Sequence, residues 1–177
     1  MDNSKSLRQF EAILTIWEQA LPGYSEVEFA QKPSPESWSV GQVYQHLIQA
    51  SLDFHLKEVE HCLANDNHAE QRKNLRGTIA YHMLGQFPPI RIKVPASESY
   101  TPKQPKNKAA VTKGLNQMRH AMKQLATQID GQPSGKTQHP GFDYLNASEW
   151  YRLVPMHFKH HLRQKARLDK YLKTLNL

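Results

Sequence analysis

The sequence predicts an all-α fold: a four-helix bundle formed as a single domain over residues 1–177. Three observations lead there. Four long segments repeat their apolar residues at the helical period, and no run alternates convincingly as a half-buried strand would. One long, proline-rich connection separates the second of those segments from the third, as some bundle topologies require.

The first helix spans roughly Ser4 to Leu21. Leu7, Phe10, Leu14, Trp17 and Leu21 form its apolar stripe, and Pro22-Gly23 stops it. A linker, Tyr24 to Trp38, carries Pro33 and Pro35. The second helix opens at Ser39 and runs to about Leu63 through Val43, Leu47, Ala50, Phe54 and Val59. Ser39-Val-Gly-Gln42 reads as a capping box, and Trp38 is placed to staple onto Val43.

A weaker segment, Gln71 to Gly85, reads as a shorter helix. Phe87 to Pro105 is irregular and contains five prolines, Pro88, Pro89, Pro95, Pro102 and Pro105. A loop of that length inside a compact domain is usually functional or mobile. The third main helix covers about Lys108 to Ile129, with Val111, Leu115, Met118, Met122, Leu125 and Ile129 as its stripe, and Asp130-Gly131-Gln-Pro133 ends it. Ser134 to Leu145 reads as a second irregular stretch. The last helix is capped at Asn146, with Glu149 three residues on, and continues to about Leu175. Pro155 removes a backbone donor and crowds the preceding turn, so a kink or a late helix start is expected there.

Composition narrows the function classes. Hydrophobic residues make up 38% and charged residues 22%, which suits a folded globular protein. No apolar run is long enough to span a bilayer, so no membrane partner is expected. The N-terminal residues hold no apolar signal core, and a single cysteine, Cys62, rules out an internal disulfide; a cytoplasmic location is the expectation. Net charge is +7, from 23 basic and 16 acidic residues. The basic residues are spread along the chain without a nucleic-acid motif, which argues against that partner and for a basic surface that attracts small anions.

Ten histidines stand out. His157 and His161 are four residues apart, so on a helix both rings leave one face about one turn apart. They continue the stripe of Val154 and Leu168, toward the bundle interior where metal sites are built from facing helices. His46, between Val43 and Ala50, could add a third imidazole from the second helix. Three neutral imidazoles would leave a metal open to water or substrate. The same pattern also serves buried histidines satisfied by hydrogen bonds. His160 points about 100° away from His161 and reads as a substrate-contacting or proton-carrying group. His55, His61, His68, His82 and His120 share no face and read as surface or boundary residues. His139 either approaches the site mouth or packs in its turn. Cys62 lies about 24 Å along a straight helix from His46, too far to ligate the same ion.

The stretches Trp38-Ser-Val-Gly-Gln-Val-Tyr-Gln-His46-Leu47, His139-Pro-Gly-Phe-Asp-Tyr-Leu-Asn-Ala-Ser-Glu149-Trp150 and His157-Phe-Lys-His160-His161-Leu-Arg-Gln164 together resemble the DinB-like superfamily, which includes bacillithiol transferases and mycothiol-dependent maleylpyruvate isomerases. The resemblance implies an up-down-down-up bundle, often dimeric. It implies His46, His157 and His161 as ligands of a divalent metal; neutral imidazoles favour zinc, nickel, copper or iron over magnesium or calcium, with zinc or nickel foremost. It further implies a small-molecule substrate and a low-molecular-weight thiol as co-substrate. The chain departs from its relatives in the His-Pro-Gly-Phe-Asp loop and in Pro155, so the substrate does not carry over. The leading expectation is a metal-dependent transferase or hydrolase. Its rivals are a metal- or small-molecule-binding protein without turnover and, at a distance, a nucleic-acid-binding protein.

Overall fold

A computed structural model describes residues 3–84, 101–129 and 135–175. Helix α1 (Asn3–Ala20) ends in a 3-10 turn, Leu21–Gly23, at the Pro22-Gly23 stop. A short helix, α2 (Glu26–Ala30), lies inside the expected linker. It is nucleated by a capping box in which Ser25 Oγ accepts from the Glu28 amide and Glu28 accepts from the Ser25 amide.

The second long helix is α3 (Val40–Gln49), a π-helical segment (Ala50–His55) and α4 (Leu56–Ala64), which follow one another without a break. Its Ser39/Gln42 capping box is formed. Asn74 caps α5 (Leu75–Thr78), from which a second π-helical segment continues to Leu84. This helix starts four residues later than the Gln71 expected. Of the proline-rich connection only residues 101–105 are described; its remainder, like the Asp130–Pro133 stop, lies outside the described residues. Helix α6 (Lys108–Ile129) has the predicted bounds.

The expected irregular stretch before the last helix is instead a two-stranded antiparallel ribbon. Strand β1 (Lys136–His139) pairs with β2 (Asp143–Asn146), from Lys136 opposite Asn146 to His139 opposite Asp143. Lys-Thr-Gln-His has no apolar alternation to betray a strand; only Leu145 of the pair is buried. The ribbon is anchored by backbone: the Gly135 amide donates to the carbonyls of Cys62 and Asn65. Cys62 packs beneath it as a small buried residue, its Sγ 3.5 Å from the Leu145 carbonyl.

Helix α7 (Ala147–Lys173) opens at a complete Asn146/Glu149 capping box. The buried Glu149 carboxylate also pairs with Lys73, which ties α7 to the segment before α5. The helix starts at its cap, not late, and runs through Pro155.

Helices α1 and α3 each pack on α6 and α7. Between them an aromatic chain fills the core: Phe10, Trp17, Tyr44 and Phe158 meet edge to face with ring centroids 5.1–6.2 Å apart. Tyr44 donates its hydroxyl to the Trp17 carbonyl at 2.6 Å, satisfying an acceptor in the last turn of α1. These contacts fix α3 against α7 and so set where their side chains meet. No helix of the described residues is long and apolar enough to cross a membrane.

Candidate metal centre

His46 leaves α3 two turns after its cap, and His157 and His161 leave α7 one turn apart. The three imidazoles converge. Their centroids form a near-equilateral triangle with sides of 4.9, 4.9 and 4.7 Å. His157 Nε2 stands 3.1 Å from His46 Nε2 and 3.0 Å from His161 Nε2. One donor nitrogen from each ring lies within 4.8 Å of the other two.

Those two short contacts test whether the residues suit a metal. A neutral imidazole nitrogen carries either one proton or one in-plane lone pair. His157 Nε2 therefore cannot make two full hydrogen bonds, yet it has two ring-nitrogen neighbours at that range. Metal–nitrogen bonds of about 2.0–2.1 Å at a tetrahedral angle place donor nitrogens about 3.3 Å apart. The observed separations approach that value, so the donor set fits a divalent ion of the kind that prefers nitrogen ligands.

The surroundings keep the rings in the state a metal requires. Burial, reinforced by His160, pulls His46 down from its ordinary 6.5 to about 4. Burial and His46 pull His161 to about 3. Burial, then the neighbouring His161, His55 and His46, hold His157 well below the ordinary range. All three are neutral at pH 7, with lone pairs available. His161 Nδ1 lies 2.8 Å from Gln164 Oε1. With that oxygen accepting, Nδ1 carries the proton and Nε2 presents its lone pair to the other rings. Trp38 stands with its ring centroid 4.9 Å from that of His46, so it sits beside the site, whatever it contributes as a staple.

His160 is half-buried, its ring centroid 5.3 Å from that of His161. His61, His68, His82 and His120 are exposed, as expected. His55 is not: it is 5% exposed, with its ring 5.2 Å from His157 and 6.2 Å from Trp150. The surface-or-boundary reading of His55 is corrected, and the cause is the π-helical segment. On an uninterrupted α-helix, nine residues would carry His55 about 180° from His46. One extra residue taken up by a π-bulge reduces that rotation by about 100° and swings His55 inward. His139 closes this flank, stacked on Phe142 at 4.6 Å and 5.1 Å from Trp150. Burial lowers it to about 4.

A sequence model of the DinB superfamily matches residues 9–164, a span that includes all three converging histidines. No curated protein and no solved structure gives a significant match.

Proposed function

This chain belongs to the DinB superfamily, and from that premise we propose that it is a metal-dependent enzyme acting on a small molecule by thiol-dependent transfer or by hydrolysis. His46, His157 and His161 are the proposed ligands of one divalent ion, zinc or nickel foremost. The observation that carries the reading is the pair of 3.1 and 3.0 Å contacts at His157 Nε2, which no hydrogen-bonding scheme for neutral rings satisfies.

Such an ion lowers the pKa of a bound water or thiol and so supplies a nucleophile at neutral pH. The protein's own residues supply the rest. Gln164 fixes the His161 tautomer, and burial keeps the three rings unprotonated. His160, half-buried beside His161, is the proposed proton carrier. The packing of α1 and α3 on α6 and α7 supports the family's four-helix up-down-down-up bundle, and a homodimer is part of the same reading.

Metal content tests it. Elemental analysis of the purified protein, beside a His157→Ala, His161→Ala double variant, is expected to find near-stoichiometric metal lost in the variant. Metal retained by the variant refutes the ligand assignment. No uptake by the native protein after incubation with zinc, nickel and manganese makes the cluster a packing feature.

A further inference from the structure

Several charged side chains of the helices are paired. Arg119 binds Glu11 and Glu18, Lys165 binds Asp169, and Lys73 binds Glu149. Arg163 and Arg167 are different. Both are exposed, and neither has a carboxylate partner among the described residues. They lie four residues apart on α7, where two like charges repel. With His160 they occupy positions i, i+3 and i+7, one continuous stripe.

That stripe adjoins the metal centre. The His160 ring is the immediate neighbour of the His161 ring. A ligand reaching the histidines past this stripe passes two unneutralised guanidiniums, each able to grip a carboxylate or phosphate through two parallel hydrogen bonds.

We propose that Arg163 and Arg167, with His160 between them and the histidine triad, form an anion subsite, so that the substrate bears a carboxylate or phosphate beside its reacting group. This rests on the metal-centre reading and adds the substrate's charge to it. The arginines act by binding that remote group, which leaves the histidines to the reacting end.

The test compares two thiols of similar size on cobalt-loaded protein, 3-mercaptopropionate and 2-mercaptoethanol, with binding read from the visible absorption of the cobalt–thiol complex. In the native protein the anionic thiol is expected to bind about tenfold more tightly than the neutral one, the size of one charge-assisted hydrogen bond. That preference should shrink with added salt. In Arg163→Gln, Arg167→Gln the cobalt should be retained and the preference should fall several-fold, with affinity for the neutral thiol unchanged. Each single variant should show part of the effect. Equal preference in native and double-variant protein overturns the subsite and leaves the metal centre standing. Native protein that takes up no cobalt overturns the metal centre and the subsite together.

Discussion

The Nε2 atoms of His46 and His157, 111 residues apart in the chain, stand 3.1 Å from one another. Only the packing of α3 on α7 brings them together, so a ligand that bridges them ties two helices. Such a ligand stabilises the folded state alone, by RT ln(1 + [L]/Kd), about 4 kcal/mol at a thousandfold excess over Kd. Zinc is therefore expected to raise the melting temperature of metal-free protein in a concentration-dependent way. His46→Ala should remove the rise, because two ligands on one helix turn bind far more weakly than three. A zinc-dependent shift that survives His46→Ala would remove α3 from the site.

His55 invites a different substitution. Its Nδ1 is buried without a hydrogen-bond partner among the described residues, which costs about 1–3 kcal/mol. In metal-free protein, His55→Leu is expected to raise stability by about 1 kcal/mol in urea denaturation, since it deletes the orphaned atom and keeps most of the volume. Metal content should be unchanged, because His55 lies outside the converging set. Marked destabilisation would mean that Nδ1 has a partner in solution.

How far the sequence disclosed all this depends on the scale of the pattern. Helix α6 was legible because its apolar stripe is regular from Val111 to Ile129. The Ser39 and Asn146 caps were legible because a capping box is a local chemical pattern. The triad was legible as a spacing, HxxxH plus one histidine on another helix, since spacing survives in any regular helix. What escaped were the departures from regularity. The π-helical segment has no compositional mark, and it alone moves His55 from the surface to the flank of His157. The β1–β2 ribbon escaped because backbone bonds to Cys62 and Asn65 hold it, not an apolar face. The Ser25/Glu28 box of α2 is a local pattern of the same kind, but it sits in a segment that Pro33 and Pro35 mark as a linker.

Stability should depend on pH through the same histidines. His55 and His161 titrate near 3 in the folded protein, and His46 and His139 near 4, against an ordinary value of 6.5. Between about 6.5 and 4 the unfolded chain binds more protons than the folded one, so stability falls as pH falls through that window. Above about 7 the rings are neutral in both states and contribute no slope. The urea midpoint of metal-free protein should be nearly level from pH 7 to 8 and decline from pH 6.5 to 5. A level midpoint across the acidic range would contradict the buried, neutral rings.

Gly41 couples the cap of α3 to the placement of His46. A β-carbon there would meet the Phe29 carbonyl oxygen at 2.9 Å and the Gln104 amide nitrogen at 2.4 Å. The glutamine can swing away, but the carbonyl belongs to the backbone of α2 and cannot. Alanine would favour the helix by about 1 kcal/mol over glycine, while forced overpacking costs about 1–3 kcal/mol. The clash with fixed backbone should win, so Gly41→Ala is expected to lose about 1 kcal/mol in denaturant. It should also weaken zinc binding, because α3 must shift against α2 and carries His46 with it. An intermediate result would discriminate between the two effects: lost stability with unchanged zinc affinity would mean that α2 yields and α3 keeps its place on α7.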